Sequence, residues 1–585
     1  MKIFHAIKEF FTPSGILPGS CKGSLARFPQ LMHWGMIYAG GGLMATAFPP
    51  LNWTVSAFIA LTILFLEARN RSPLKAAVAG WLWGMGYALC SFFWLREINV
   101  VIPWLMMIVL GAYYIPVGWT AAVANRYILL PPQVRKEGFS SQTAYRDFSL
   151  LRQIAWCLVT ASSVVLVEYL RHTVLPWNYL GAAFYRNVVM MQTLRITGVS
   201  GLSMLAALVN AAAALALLTV ARKDPEQEFY RYRRPWPLLI MLVVLALVMA
   251  YGVISLRERR KEYKEFAHRL KMTLVQGGGV SHRGGGAEGA LKALSVYSNL
   301  TRTQVGIPTE VVVWPETAVP YPLRGNSDVC RLYRSVVRDL SYSMKAPLLL
   351  GTLEFDESTN PPGSLNSAVL TDTRDILRYG YKAIYSKVHP VPFGEFVPMR
   401  RYLPQWLIRL IDMNRDLTPG KSLEPIAINE QVRIGISICF EDVFPYIARA
   451  ELMRHANMLL VIADDAWYPK SSEPEQHLAN AIGRAIETGL PMVRCGNDSV
   501  SCLISPAGEI IWSLAEELKF GDGQAFRRGA GAATITVNVP SPEQIKPTFY
   551  SRFGDWIVGV AAIIWFCGMF AALQQMLNFI RKVRN

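Results

Sequence analysis

Residues 432–445 read VRIGISICFEDVFP, a β-branched run that breaks at a single cysteine, Cys439. Such a run predicts a strand that ends in a turn. A thiol at a strand-to-turn junction has backbone N–H groups beside it, which is the usual setting of a nucleophile. Glu441 and Asp442 follow directly and indicate a turn that is open to solvent. The alternative interpretation is a buried structural thiol.

Two further apolar runs end in charged residues. VVVWPETAVP (311–320) carries Glu316, and YSKVHPVPFGEFVP (385–398) carries Lys387 and Glu395. Attack on an acyl carbon needs a nucleophile, a base and a group that stabilises the oxyanion. We therefore predict Cys439 as nucleophile, Glu316 as general base, and Lys387 with the backbone N–H of Phe440 as the oxyanion site. Taken singly, the glutamate and the lysine also fit ordinary surface positions.

The composition indicates a membrane protein. Of 585 residues, 52% are hydrophobic and 17% are charged, whereas a soluble protein carries about 25% charged residues. The net charge of +17 comes mostly from short loops and the chain ends. This distribution suits membrane orientation, and without a basic stripe or a known motif it argues against nucleic-acid binding.

Eight apolar segments approach the roughly 20 residues that a membrane span needs. Seven precede the central part of the chain, at 33–49, 52–68, 76–95, 101–124, 153–171, 197–220 and 236–256, and one follows it, at 555–577. The basic loops place both termini in the cytoplasm and the central part outside. The predicted domains are a membrane domain (1–256), an outer catalytic domain (257–550) and a C-terminal transmembrane helix with a basic tail (551–585).

The outer domain alternates short strands with amphipathic helices, which predicts an α/β sandwich or layered sheet. The strand candidates include RIGISIC (433–439) and MLLVIAD (458–464), and the helix candidates are 288–302, 327–344, 443–455 and 475–489. GGGVSHRGGGAEGA (277–290) lacks the GK[ST] ending of a phosphate loop, so it is predicted to be a flexible loop. No zinc-type cysteine spacing occurs, and we predict no metal or cofactor. Cys495 and Cys502 could pair or stay reduced.

Three weaker predictions concern the membrane interface. The basic stretch 257–271 is predicted to be a helix lying along lipid headgroups. Residues 396–416 fit either an amphipathic arm in the bilayer or a packed helix, and Trp406 within them is predicted to contact substrate. Trp467 and Tyr468 would line an acyl pocket or simply pack.

The motifs WPET, K-x-H-x-V-P-F-G-E and I-C-F-E, in this order, resemble those of the nitrilase (carbon–nitrogen hydrolase) superfamily, whose triad runs Glu, Lys, Cys. With the predicted spans, nearly the whole chain is similar to the bacterial apolipoprotein N-acyltransferases. FPPLNW, EYLRHTVLPWNYLG, DDAWY (464–468) and RAIETGLPMVR (484–494) add to the match.

The resemblance implies an αββα sandwich and a ping-pong acyl transfer through an acyl-cysteine. The donor would be a membrane phospholipid, and the acceptor a diacylglyceryl lipoprotein. It implies a multi-pass protein of the bacterial inner membrane with its catalytic domain on the periplasmic side. It also implies a second catalytic glutamate at Glu395 and supporting roles for Phe440 and Glu441.

Two positions depart from the family pattern. Phe440 stands where the family usually has tyrosine, and residues 277–290 contain no tryptophan where the family carries a functional one. Two other functions remain as alternatives. One is a membrane-tethered amidase acting on a small substrate. The other is a transporter or receptor with an inactive enzyme domain, for which the spans hold few charges.

Overall fold

The chain folds into a helical N-terminal part, a two-sheet sandwich and a C-terminal helix. The computed structural model describes residues 28–69, 71–129, 150–173, 175–220, 235–280, 286–356, 362–378, 380–405, 416–468, 471–518 and 529–584. The helices of the N-terminal part are α1 (Phe28–Ala45), α2 (Ala60–Arg69), α3 (Pro73–Ser91), α4 (Ile102–Ala112), α5 (Ile115–Ala124), α6 (Leu150–Leu170), α7 (Val188–Met191), α8 (Leu194–Val220) and α9 (Trp236–Lys264).

Five helices of the described residues are long and apolar enough to cross a bilayer. They are Ile102–Leu129, Leu150–Leu170, Leu194–Leu217, Trp236–Lys264 and Trp556–Asn578. The first three predicted spans correspond to the shorter helices α1, α2 and α3, so their crossing stays a prediction. The first of the five long helices, which covers the predicted span 101–124, contains α4 and α5 in succession, and Pro116 lies near the start of α5, where a proline is tolerated.

The central part contains two six-stranded sheets. The first has the order β12-β1-β2-β3-β4-β5 and the second the order β11-β10-β9-β8-β7-β6. The strands are β1 (His268–Gly277), β2 (Val311–Val319), β3 (Leu348–Asp356), β4 (Gly363–Thr371), β5 (Ala383–Ser386), β6 (Ile426–Ala427), β7 (Arg433–Ile438), β8 (Met458–Asp464), β9 (Met492–Asn497), β10 (Cys502–Ile504), β11 (Ile510–Ser513) and β12 (Ala530–Val539).

The sheets pack face to face because their strands alternate between two apolar environments. Val311 and Val313 of β2 join a core that also contains Ile434 and Leu460 of the second sheet, whereas Val312 points to the helices outside. Those outer helices are α10 (Gly286–Arg302), α11 (Asp328–Met344), α12 (Thr373–Leu377), α13 (Pro445–Met453), α14 (Glu473–Thr488) and α15 (Leu514–Glu517). This αββα sandwich beside a helical membrane part confirms the predicted fold class.

Helix α14 is buried on nearly every side, although its sequence is amphipathic. Its apolar residues, such as Leu478 and Ile482, belong to one core with Leu194 and Ala206 of α8. Its polar residues are also buried. Their charges are compensated within the protein, as in the ion pair between Arg484 and Glu487 at 2.7 Å. The helix therefore lies between the second sheet and the membrane part and connects the two.

The chain returns to the membrane part after β12 through α16 (Phe549–Phe553) and α17 (Trp556–Arg584). Gly198 allows close packing here: it has φ +63°, and a Cβ at this position would lie 2.4 Å from the Tyr550 ring. The prediction of an interfacial helix over 257–271 is wrong. Residues up to Lys264 continue α9, and β1 begins at His268.

Candidate active site

Three charged side chains meet at the first sheet: Glu316 from strand β2, and Lys387 and Glu395 from the loop that follows β5. Lys387 follows β5 directly, and its Nζ lies 2.9 Å from Glu395 Oε1 and 3.5 Å from Glu316 Oε1. Asn366 of β4 donates to both glutamates, at 2.7 Å and 3.0 Å. The second oxygen of Glu316 accepts the backbone N–H of Asp464 at 2.9 Å. Two carboxylates thus share one ammonium group, and each is held in place by further donors.

Cys439 begins the turn after β7, as the sequence predicts. Its φ is +52°, a left-handed conformation that non-glycine residues adopt rarely and often at functional sites. Cys439 is half-buried, but Phe440, Glu441 and Asp442 are fully buried. The expectation of a solvent-open turn is therefore wrong, because these side chains pack into the protein and leave the cysteine nearest to the surface.

The thiol and the charged group belong to one electrostatic site. Burial raises the pKa of Cys439 well above its ordinary value, the Glu316 charge raises it further, and Lys387 opposes these effects. Burial likewise raises the pKa of Glu316 against the lowering effect of Lys387. Burial alone would lower the pKa of Lys387, but Glu395 and Glu316 raise it. The lysine is thus cationic and the resting thiol is protonated, so attack needs a base.

Glu441 fastens the cysteine turn to the lysine loop. Its carboxylate accepts the backbone N–H of Ile438 at 2.8 Å, of Val388 at 2.7 Å and of His389 at 3.1 Å. The Tyr385 hydroxyl donates to it at 2.9 Å. Burial raises the pKa of Glu441 to about 7. The contacts of Glu441 are consistent with its predicted supporting role. This one side chain binds residues on both sides of Lys387 and also the residue before Cys439.

Below the cysteine lies a buried ionic cluster that sequence reasoning did not identify. His477 Nε2 is 3.1 Å from the carbonyl oxygen of Cys439 and 3.0 Å from Asp442 Oδ1, and Nδ1 is 3.2 Å from Asp465 Oδ1. Arg494 pairs with Asp442 from the other side. Burial alone would lower the pKa of His477, but Asp442 and Asp465 raise it to about 10. A protonated imidazole therefore supports the backbone of Cys439.

The same cluster is the one metal-type grouping among the described residues. One ligand atom each of Cys439, Asp465 and His477 lies within 4.8 Å of the others. Both ring nitrogens of His477 face oxygen acceptors, which are the Cys439 carbonyl and the carboxylates of Asp442 and Asp465, so the group forms an ion-pair network in this structure.

Aromatic side chains surround the cysteine turn on the membrane side. Phe440 stacks on Trp177 with ring centroids 6.0 Å apart, and Tyr468 meets the edge of Trp94 at 4.7 Å. Trp467 is 40% exposed. Residues 406–415 of the predicted arm lie outside the described residues, and they include Trp406, which was predicted to contact substrate.

Two signals in the sequence point to the residues that were missed. His477 is one of only eight histidines, and it lies on a helix whose polar face would otherwise be expected to meet solvent. Asn366 interrupts an apolar strand at a position that faces the site. Cys495 and Cys502, for which pairing was left open, are both free and buried.

The N-terminal part and the central part of the chain each match a known protein family. Residues 40–212 match the apolipoprotein N-acyltransferase N-terminal domain, and residues 273–519 match the carbon-nitrogen hydrolase family. An apolipoprotein N-acyltransferase from Geobacter metallireducens is 26% identical over 94% of this chain and 95% of its own length. One from Rhizobium leguminosarum is 26% identical over 86% of this chain and 93% of its own.

Two solved structures are similar to about half of the chain. A carbon-nitrogen hydrolase from Helicobacter pylori has a TM-score of 0.33 and 16% identity, and covers 46% of this chain and 89% of its own. The nitrilase-superfamily protein Nit3 from Saccharomyces cerevisiae has a TM-score of 0.34 and 16% identity, and covers 49% of this chain and 96% of its own.

Proposed function

Because the chain belongs to the apolipoprotein N-acyltransferase family, we propose that it transfers a fatty-acyl chain from a membrane phospholipid to a lipoprotein. The acceptor is the α-amino group of the diacylglyceryl-cysteine at the lipoprotein N-terminus. The relatives that carry this name match over most of their length, and both family domains occur in order. We assign the nucleophile to Cys439, the base to Glu316 and the oxyanion site to Lys387.

One observation supports a lipid substrate over a small soluble one. Phe440 and Phe444, which flank the cysteine turn, share a single apolar cluster with Phe92, Trp94 and Trp177 of the N-terminal part. An amidase for a small soluble substrate has no need of this contact. A transferase whose substrates both stay in the bilayer needs its thiol fixed beside the membrane helices, which is what the cluster does.

The first half-reaction begins with proton transfer from the Cys439 thiol to Glu316. The sulfur attacks the ester carbonyl of the phospholipid, and the resulting oxyanion is stabilised by the Lys387 ammonium and the Phe440 N–H. The C–O bond then breaks, Glu316 protonates the leaving alcohol, and a lysophospholipid departs. Glu395 keeps Lys387 oriented throughout, because their 2.9 Å contact does not involve the base.

The second half-reaction repeats these steps with an amine. The α-amino group of the acceptor attacks the thioester carbonyl, and Glu316 takes the proton that the nitrogen loses. The C–S bond breaks, the thiol recovers its proton and the amide product leaves. Burying each CH₂ group contributes about 0.8 kcal/mol, so moving a long acyl chain through water would cost on the order of 10 kcal/mol. A thiol beside the membrane avoids this cost.

We also propose the membrane arrangement expected from the sequence. Residues 1–256 form the membrane domain, 257–550 the periplasmic catalytic domain and 551–585 the returning helix, all in a bacterial inner membrane. The bounds of α9, β1, β12 and α17 support this division. A Tyr342→Cys variant tests the side, because Tyr342 is 77% exposed on α11. A membrane-impermeant maleimide should label it in intact spheroplasts, and labelling only after lysis would contradict the assignment.

The chemistry is tested by mass spectrometry of the full chain after incubation with a phospholipid of defined acyl chains. We expect a fatty-acyl mass on the peptide that contains Cys439, together with an equal amount of lysophospholipid. Both should vanish in Cys439→Ala and fall at least a hundredfold in Glu316→Gln. The control is Cys330→Ala, which removes a buried thiol of α11 far from the site.

Two other results would redirect the assignment. Release of ammonia from amides, without an acyl adduct from phospholipid, would favour the amidase. Folded protein that forms neither product would mean that the acid, base and thiol do not act together. Adduct formation followed by acyl transfer to a diacylglyceryl peptide would establish the complete reaction.

A further inference from the structure

A depression lies where the membrane part meets the sandwich, away from Cys439. It is formed by the start of α8, the end of α9, the C-terminal end of α14 and the loop before α16. It encloses about 290 Å³, counting the space open to solvent. Its charged lining consists of Arg195, Arg259, Lys546 and Glu262, so three cations face a single carboxylate.

Arg195 is buried and Arg259 is half-buried, and each has a buried nitrogen with no acceptor in the part of the chain that the structure describes. Arg195 is 8% exposed, and its guanidinium lies over Gly489, 3.3 Å from where a Cβ would be. Among the described residues, no acceptor lies within hydrogen-bond distance of its Nη1, and the same holds for the buried Nε of Arg259. Leaving a buried charged donor unpaired is costly, so the depression is built to accept an oxygen-rich anion.

The one carboxylate does not neutralise the site. Glu262 pairs with Arg259, and its other oxygen lies 3.7 Å from Lys546. The Arg195 charge therefore shares its one counter-ion in this lining, Glu262, with two other cations. Guanidinium groups match the geometry of phosphate oxygens better than an ammonium group does, which makes phosphate the anion of best fit.

In the membrane arrangement proposed above, the depression lies at the height of the lipid headgroups. The apolar run of α9 ends at Leu256, and Arg259 follows within one turn. Only 11% of the apolar window of this helix is buried against the rest of the protein, which leaves its surface open to lipid up to the level of the depression. A phosphodiester at the surface of the outer leaflet would thus reach Arg195 and Arg259 without leaving the membrane.

We propose that this depression binds a phosphate group, supplied by a phospholipid headgroup or by free phosphate, at a site separate from the acyl donor. Twelve residues of α14 separate His477 beside the nucleophile from Gly489 beside Arg195, which at 1.5 Å per residue is roughly 18 Å. The ester carbonyl and the phosphate of one phospholipid are only a few bonds apart. One donor molecule therefore cannot occupy both places. The bound phosphate would fasten the end of α9 to the sandwich.

The test measures thermal unfolding of the full chain in detergent, in a Cys439→Ala background that cannot consume lipid. Dioleoyl phosphatidylglycerol is compared with dioleoylglycerol, which has the same chains but no phosphate, and with inorganic phosphate. We expect phosphatidylglycerol to raise Tm more than dioleoylglycerol does. This difference should fall by at least half in Arg195→Gln and in Arg259→Gln. It should persist in the control Arg260→Gln, whose side chain instead pairs with Glu509 at 2.5 Å.

Each outcome decides the proposal. If inorganic phosphate alone reproduces the shift, the site binds phosphate and the source is the free ion. Equal shifts with both lipids and none with inorganic phosphate would overturn the proposal, as would an undiminished difference in Arg259→Gln. Should Arg195→Gln fail to fold, Arg259→Gln and the exposed Lys546→Gln still decide the question. Acyl-adduct formation in the Cys439-containing protein reports the proposed function separately.

Discussion

Replacing His477 with glutamine removes the one cation that touches the carbonyl of Cys439. The imidazole faces that carbonyl at 3.1 Å, Asp442 at 3.0 Å and Asp465 at 3.2 Å, all in a buried environment. Breaking a buried ion pair by removing one partner costs about 3–5 kcal/mol. We therefore expect His477→Gln to destabilise the protein and to slow formation of the acyl adduct at least tenfold, because the left-handed backbone at Cys439 loses its support.

The pH dependence identifies the charge on the ring. The folded-state pKa of His477, about 10, lies above the ordinary value of about 6.5. The stability gained from protonation is therefore fully present below pH 6.5 and is lost as the pH rises through 10. Between pH 7 and pH 9 the loss is about 2–3 kcal/mol. With an unfolding entropy of about 2.1 cal/mol/K per residue, a chain of 585 residues shifts by about 1 °C per kcal/mol, so the wild-type Tm should approach that of the variant by roughly 2 °C.

The assay is thermal unfolding in detergent at several pH values, with acyl-adduct formation measured in parallel. The control is His268→Gln, at the start of β1 and remote from the cluster, which should change neither quantity. A gap in Tm between wild type and His477→Gln that stays constant from pH 6.5 to 10 would refute the reasoning, because the imidazole would then be neutral. An unchanged adduct rate would refute the link to Cys439.

Three further substitutions test the supports of the site. Glu441→Gln replaces one acceptor oxygen by an amide group, whose N–H would oppose the N–H of Ile438. The activation free energy of adduct formation should therefore rise by about 1–3 kcal/mol, measured from initial rates. Gln476→Leu leaves three buried side-chain donors without their shared acceptor and should cost at least about 3 kcal/mol, seen as a lower Tm. Gly198→Ala forces a Cβ into the Tyr550 ring at positive φ and should cost at least about 2 kcal/mol, whereas Gly559→Ala, with open space around it, should not lower Tm.

The longer strands were predictable because each is a continuous or alternating apolar run with clear breaks on both sides. Predicted MLLVIAD (458–464) is β8 itself, and RIGISIC ends one residue beyond β7. The strands β5, β6 and β11 have four, two and four residues, too few to show a period. Their pairing is decided by neighbouring strands, which a local pattern cannot report.

The candidate site was predictable in part. Glu316, Lys387 and Cys439 each lie in or directly after a strand, where a local motif can be recognised, but Glu316 and Lys387 belong to the first sheet and Cys439 to the second. Their approach depends on how the two sheets pack, which no local pattern reports. The burial of Glu441 and Asp442 was not predictable, since acidic residues in a turn usually face water. Their partners, Tyr385 and Arg494, come from other strands. Only the assembled fold brings these counter-groups to the turn.

Helix α14 explains why the two halves of the chain act as one enzyme. Gln476 accepts hydrogen bonds from Trp94, Trp177 and Asn178 of the membrane part, at 3.2, 2.9 and 3.1 Å. The next residue, His477, holds the backbone of Cys439. Adjacent residues of one helix turn thus fix the membrane loops on one side and the nucleophile on the other. Any shift of the membrane helices relative to the sandwich would act on the thiol through a single peptide unit, so the catalytic geometry depends on the membrane part being in place.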